Sequence, residues 1–272
     1  MKSFITDKNR KLSKACLYYL EDLSFSAFMK ALRKKDVKVN GVRVNKDVSL
    51  NAGDKVEVFY LALEIEKYSV LFSDQNVLII DKKQGYSSEN VYEELLEENP
   101  TLGFIHRLDR NTSGVMIFSK NQRAEQELLS GFKNRTFDKK YHALVFGKTP
   151  KNEDVLTAYL LKDEKQSLVK IFDKKVDGSV LIKTGYKTLW YKDGKSLLEV
   201  SLFTGKTHQI RAHLSHIGNP IVGDGKYGKN QDNLASKTKK QQLKAVSLTL
   251  RFSKDDLLYY LNEKTFISPS DF

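Results

Sequence analysis

The stretch IHRLDRNTSGVMIF, residues 105–118, sets one carboxylate, Asp109, between two arginines, Arg107 and Arg110. His106 lies just upstream, Thr112, Ser113 and Gly114 follow, and Val115, Met116, Ile117 and Phe118 form an apolar run. A run of this length entered through a polar turn reads as a buried strand. Asp109 therefore stands among cations and hydroxyls at the mouth of that strand, where a loop residue on a rigid support can meet a ligand. A solvated turn has the same composition, so the choice between the two readings rests on the remainder of the chain.

That remainder is basic. Lys and Arg number 46 against 34 Asp and Glu, a net charge of +12 with pI near 9.4, which favours a polyanionic partner such as nucleic acid. With 272 residues, 40% hydrophobic and 11% aromatic, the chain has the makings of one large or two smaller folded domains. Cys16 is the single cysteine, so neither an internal disulfide nor a cysteine-based zinc site is expected, and a reducing compartment suits it. The first residues, MKSFITDKNRKLSKACLYYL, lack the apolar core of a signal peptide, and no stretch approaches the roughly 18 apolar residues of a membrane span. The expectation is a soluble, cytoplasmic protein, without a membrane partner and acting as a monomer.

Residues 1–60 read as a unit. RKLSKACLYYLEDL spaces Leu12, Ala15, Cys16, Tyr19, Leu20 and Leu23 as an amphipathic helix does, and SFSAFMKALRKK repeats the pattern. In the second helix Phe25, Phe28, Met29 and Leu32 share a side, while Lys30, Arg33, Lys34 and Lys35 supply charge for phosphate contacts. VKVNGVRV then alternates around Asn40-Gly41, a strong hairpin signal, and AGDKVEVFY adds a strand after a Gly53-Asp54 turn. This order resembles the S4 RNA-binding domain over roughly residues 8–60. Residues 1–60 hold 13 Lys and Arg against 7 Asp and Glu, half of the chain's excess charge.

After a short linker near residues 61–67, a second domain is expected over residues 68–272. SVLFSD and NVLIIDKK read as strands, SSENVYEELLEEN as a helix with Ser88 as N-cap, and NQRAEQELLSGFKNR as a helix capped by Asn121. KKYHALVFGK, DVLTAYLL, GSVLIKTGYKTLWYK and KSLLEVSLF follow as strands, THQIRAHLSHIG as a helix, and LKAVSLTLRF as the final strand. KNQDNLASKTKKQ is polar and aperiodic, and reads as a mobile loop. Strands outnumber helices and do not alternate with them, so the fold class is α+β with a mixed, largely antiparallel sheet flanked by helices.

The second dense stretch is FTGKTHQIRAHLSHIGNPIVGDGKYG, starting at Phe203. Gly205-Lys206-Thr207 would end a phosphate-binding P-loop only with a glycine at position 200, where Val200 stands. His208, His213 and His216 are spaced five and three apart, unlike the four-residue spacing of a helical zinc pair, and read as hydrogen-bonded structural groups. Ile210, Leu214 and Ile217 form the apolar stripe. Arg211 falls between stripe positions, and a guanidinium approaching Asp109 would fix the direction of its carboxylate.

HRLDRNTSG, then KKYHALVFG, then TGKTHQIRAHLSHIGNPIVGDGKYG resemble, in this order, the RluA-type family of pseudouridine synthases, in which an S4 domain commonly precedes the catalytic domain. The resemblance covers most of residues 68–252. It implies an isomerase that converts uridine to pseudouridine in structured RNA without metal or cofactor. Ribosomal RNA of the large subunit is the favoured substrate and transfer RNA the second. Asp109 corresponds to the family's catalytic aspartate, Arg107 to an arginine that enters the space left by the target nucleotide, Tyr141 to a tyrosine packed on the target base, and Arg211 to the aspartate's partner.

These residue types suit the chemistry. A glycosidic C–N bond breaks, the uracil turns, and C5 rejoins the sugar, so a water-activating second carboxylate, as in hydrolytic glycosidases, would be a hazard. One oriented carboxylate, an aromatic face for the base and a wedge for the vacated stack are enough. The chain departs from the family pattern in three places. Lys83 and Gln84 precede Gly85 where lysine-proline is usual, Lys206 stands where arginine is usual, and Lys244 where histidine is common. These changes leave a non-catalytic RNA-binding or ribosome-assembly protein on the same scaffold as the alternative.

Overall fold

The computed structural model describes residues 1–269 except positions 21, 24, 61–65, 164–167, 237 and 239. It divides into two compact units, Met1–Glu66 and Lys67–Phe272. Most of the expected linker, residues 61–65, lies outside the described residues.

In the first unit β1 (Lys2–Ile5) and β2 (Arg10–Lys11) precede α1 (Leu12–Tyr19) and α2 (Phe25–Arg33). β3 (Val37–Val39), β4 (Val42–Val44), β5 (Ser49–Leu50) and β6 (Lys55–Val58) complete it. The sheet order is β1-β6-β3-β4, antiparallel throughout, with β2 and β5 paired apart from it. Leu12, Ala15 and Cys16 of α1 and Phe28, Ala31 and Leu32 of α2 meet Val37, Val56 and Val58 in one core. Asn40 and Gly41 turn the hairpin with φ of 51° and 82°, the left-handed pair that a two-residue turn between twisted strands requires. Two expectations are corrected. Phe25 is exposed instead of facing the core, and α2 ends at Arg33, so Lys34 and Lys35 sit in the turn beyond it.

The second unit runs β7 (Tyr68–Ser73), β8 (Val77–Lys82), α3 (Ser88–Glu98), β9 (Gly103–Phe104), β10 (Ser113–Ser119), α4 (Gln122–Asn134), β11 (Asp138–Phe146) and β12 (Glu153–Asp163). It continues with β13 (Leu168–Phe172), β14 (Val180–Lys192), β15 (Lys195–Leu202), α5 (Gln209–His216), α6 (Asn230–Ala235), β16 (Leu243–Thr249) and β17 (Thr265–Ile267). The sheet order is β13-β12-β14-β15-β11-β16-β10-β8-β7, with β9 on β10 and β17 on β16. The α+β reading holds, as does the mixed, largely antiparallel sheet. Among the described residues β10 and β16 make the parallel contact.

Val115, Met116, Ile117 and Phe118 of β10 are apolar without alternation because the strand is buried on both faces. Met116 and Phe118 join Leu78, Ile80, Val91 and Leu95 on one face, while Val115 and Ile117 join Val77, Ile79, Ala124 and Leu128 on the other. α3 thus packs against one side of the sheet and α4 against the other. Each fully buried aliphatic side chain contributes about 1.5–3 kcal/mol. At the strand entrance Gly114 has φ of 118°, and a Cβ there would lie 2.1 Å from the Ala245 carbonyl oxygen. Only glycine lets β10 come alongside β16 here, and this contact brings the end of the Asp109 loop to the centre of the sheet.

Three further expectations change. Ser87, not Ser88, caps α3 by accepting from the Asn90 N–H. Residues 230–235 of the expected loop form α6, with Lys237 and Lys239 outside the described residues. β17 follows the strand expected to be last and pairs with it. Among the described residues no helix is long and apolar enough to cross a membrane.

Candidate active site

Residues 105–109 have no regular secondary structure and lead through a turn at 110 and 111 into β10, yet the loop is tied down along its length. Its anchors come from segments far away in the chain. His106 Nε2 accepts the Ile117 N–H at 3.2 Å, and its ring stacks on Phe132 with centroids 4.5 Å apart. Burial, helped by Lys139, pushes His106 down to about 3, so its ring is neutral and able to accept. The Ser88 hydroxyl accepts the Leu108 N–H at 2.9 Å and donates to the Leu108 carbonyl at 2.8 Å. The Arg110 carbonyl accepts from the Gly85 N–H at 2.9 Å and from Lys82 Nζ at 3.4 Å. Gln84 donates to the Asn111 carbonyl at 2.6 Å, and Gln241 donates to the Thr112 hydroxyl at 3.2 Å. At roughly 1 kcal/mol net for each such bond, the set restrains the backbone on both sides of Asp109.

The Asp109 side chain remains partly open to solvent and accepts from Arg211 Nη1 at 3.0 Å. Arg211 lies in α5 and is itself buried. Its Nε and Nη2 donate to Asp224 Oδ2 and Oδ1 at 2.7 and 2.9 Å. Burial works against the guanidinium's charge, but Asp224, and after it Asp109, outweigh that and raise its pKa. Asp224 is fully buried. Burial would raise its pKa, yet Arg211 and the N–H groups of Lys226 and Tyr227, at 2.8 and 3.1 Å, hold the carboxyl below the usual range. Asn233 of α6 donates to the Asp224 carbonyl at 3.0 Å, so the segment expected to be mobile braces this turn.

Tyr141 is buried in β11, beside a register shift between Lys140 and Tyr141 in the pairing with β16. Such irregularities re-aim side chains. Burial, followed by the charge of Asp109, pushes its phenol pKa up, so the ring stays neutral. Asp109, Tyr141 and Arg211 line one cleft of about 460 Å³. The same cleft is bordered by Arg107, Lys133, Arg135, Lys139 and Lys206, a set of cations suited to a phosphate backbone. Arg107, on the outer side, pairs with Glu89 at 2.9 Å, both side chains being well exposed.

Residues 75–216 match the family model described as RNA pseudouridylate synthase. The chain belongs to the RNA pseudouridylate synthase family. The synthase is 31% identical over 280 residues to an RNA pseudouridine synthase of Mycoplasma genitalium, covering 89% of this chain and 85% of that one. It is 28% identical over 235 residues to ribosomal large subunit pseudouridine synthase C of Vibrio parahaemolyticus, covering 77% and 73% of the two chains. The fold is shared with human RNA pseudouridylate synthase domain containing 1, at a TM-score of 0.64 and 22% identity over 76% of this chain and 85% of that one. The synthase is an RNA-modifying isomerase of the pseudouridine synthase type, and its substrate is RNA.

Within the synthase, the structure brings Asp109, Tyr141, Arg211 and Arg107 together at the cleft. Lys30, Arg33, Lys34 and Lys35 lie exposed in the first unit. Among the described residues no three His, Cys, Asp or Glu side chains cluster closely enough to hold a metal. The histidines of the second motif are hydrogen-bonded as expected, His213 to Thr184 at 3.0 Å and His216 to Asp173 at 2.8 Å.

Sequence reasoning missed three supports of the site: Asp224, Ser88 and Lys82. Asp224 sits in the quoted GDGKYG, where its local bonds to the Lys226 and Tyr227 N–H groups read as an ordinary turn and nothing signals its pairing with Arg211. Ser88 reads in the sequence as a cap, whereas in the structure its hydroxyl bonds to the Leu108 backbone. Lys82 is wholly buried, and its ammonium donates to the carbonyls of Lys83, Tyr86 and Arg110 at 3.1, 2.8 and 3.4 Å. The departures from the family pattern also find places. Gln84 bridges the carbonyls of Asn111 and Gln241, Lys206 borders the cleft, and Lys244 is buried in β16 opposite Ser113.

Proposed function

We propose that Asp109 acts directly on the target uridine, that Arg211 aims it, and that Tyr141 packs against the uracil while it turns. The observation that carries this reading is the Asp109 carboxylate held at 3.0 Å by a buried arginine, within a cleft that also holds the Tyr141 ring. Arg107, at the outer edge, occupies the stack from which the nucleotide is extruded. The first unit is an S4-like RNA-binding module whose Lys30, Arg33, Lys34 and Lys35 contact phosphates, a role supported by their exposure and by the excess of positive charge over residues 1–60. Large-subunit ribosomal RNA is the favoured target, ahead of transfer RNA, on the strength of the relatives' names.

The test is Asp109→Asn, which keeps the shape of the side chain and removes its charge. RNA binding should persist while tritium release from 5-labelled uridine in RNA falls below detection. Appreciable release by the variant would remove Asp109 from the chemistry.

A further inference from the structure

His208 borders the cleft but has no part in the roles given to Asp109, Tyr141 and Arg211. It stands at the N-cap of α5 with φ of 54°, a left-handed conformation that costs a non-glycine residue about 1–3 kcal/mol. The surrounding structure holds it there. Nδ1 lies 2.9 Å from the Tyr227 hydroxyl, which in turn accepts the Val169 N–H at 2.9 Å. With that edge pinned, Nε2 is turned toward the reacting region and lies 3.8 Å from Asp109 Oδ2. That distance is too long for a hydrogen bond, so Nε2 is not engaged by the carboxylate.

The isomerisation leaves a chemical task for such a group. Once C5 of uracil has joined the sugar, it still bears its hydrogen, and the product forms only when that proton departs. We propose that His208 Nε2 is the base that takes the C5 proton in the closing step, a reading that rests on the assignment of Asp109 above. The C5–H bond breaks and the proton passes to Nε2. The bonding pair becomes the C5–C6 double bond, and the N1–C6 π pair withdraws to N1, which takes a proton from water. The imidazolium then returns its proton to solvent through the open side of the cleft. The step uses the tautomer in which Nδ1 carries the ring proton and donates it to the Tyr227 oxygen, which leaves the Nε2 lone pair free.

Burial, more than the surrounding charges, favours a neutral ring. Burial lowers its pKa below the ordinary histidine value. Asp109 in the loop opposes that, Arg211 in α5 adds to it, and of the residues in the following turn Lys226 lowers it and Asp224 raises it. Tyr227, the remaining titratable neighbour, has its own pKa raised, by burial first, and stays a neutral phenol.

His208→Gly tests the proposal, because glycine adopts the left-handed backbone freely and leaves a hole of imidazole size. RNA affinity should be unchanged, kcat should drop by about 100-fold or more, and added imidazole should restore turnover with a pH dependence set by its own ionisation. A folded, RNA-binding variant with wild-type kcat, or with a loss that imidazole does not repair, overturns the proposal. His208→Gln supplies an independent reading should the glycine variant not fold. Its turnover of uridine deuterated at C5 should slow several-fold relative to the protiated substrate, beyond the effect in the wild type, and equal isotope effects overturn the assignment. Asp109→Asn, assayed alongside, separates the two ideas. If it turns over, the site reading itself fails, whereas an inert Asp109→Asn beside an unimpaired His208→Gly removes only the role of His208.

Discussion

Arg211 and Asp224 face each other as a buried bidentate pair, Nε to Oδ2 at 2.7 Å and Nη2 to Oδ1 at 2.9 Å, and the remaining terminal nitrogen of the guanidinium reaches Asp109. The direction of the partly exposed Asp109 carboxylate is therefore fixed through a second, fully buried one. Planar fork geometry makes this possible, since two edges of one rigid group serve two acids.

Asp224→Asn should accordingly cost both stability and catalysis. Removing one partner of a buried pair costs roughly 3–5 kcal/mol, which for a unit of this size lowers Tm by about 6–20 °C. Because the folded Asp224 pKa is depressed, its stabilisation is present above the unfolded carboxyl value and is lost as pH falls through the folded one. Calorimetry of wild type and variant should show Tm values that differ at neutral pH and converge in acid. A variant with full turnover would mean that Arg211 keeps its aim without Asp224.

Lys82 gives the opposite sign. Burial first of all lowers its pKa from 10.5 to about 8, with Asp109, Asp81 and Glu89 opposing and Arg110 assisting. The unfolded chain thus binds more protons between about pH 8 and 10.5, and stability contributed by this group rises with pH across that window. The charged form costs on the order of 3 kcal/mol at pH 7. Lys82→Met should remove this pH dependence from urea-unfolding curves. It should also lower kcat by removing the ammonium's bonds to the carbonyls of Tyr86 and Arg110, which loosens the loop next to Asp109. A wild-type stability profile in the variant would disprove the burial of a chargeable ammonium.

Arg107 must leave Glu89 before it can enter an RNA stack. Their exposed ion pair is worth less than about 1 kcal/mol, so the release is easy. Arg107→Ala should impair turnover of a uridine in a stable stem more than one in a flexible strand, where unstacking costs less. Equal losses on the two substrates would point to phosphate binding or structural support instead.

Deleting residues 1–60 should weaken RNA binding and flatten its dependence on salt, as expected when phosphate contacts are lost. The second unit has its own hydrophobic cores and should remain folded by circular dichroism. An unchanged affinity and salt slope would argue against an RNA-binding role for the first unit.

Most local patterns are readable in the sequence, although the α3 cap is Ser87 and not the adjacent Ser88. The apolar run of β10, the Asn40-Gly41 hairpin, the Asn121 cap and the helix around HQIR are set by residues within a few positions of one another. Phe25 failed because helical spacing assigns a face without saying whether anything packs on it. The segment at 230–235 failed because its order comes from contacts such as Asn233 with Gly223 and Asp224. By itself the sequence determined the α+β class, the strand behind Asp109 and the residue types of the site. The resemblance names Arg211, 102 positions away, as the partner of Asp109, but only the tertiary structure decided that Asp224 would hold that arginine and that Ser88, Lys82, Gln84 and Gln241 would hold the Asp109 loop. Hydrogen bonds and ion pairs act over about 3 Å of space whatever their separation in the chain, and sequence periodicity carries no record of which distant segments the sheet will bring that close.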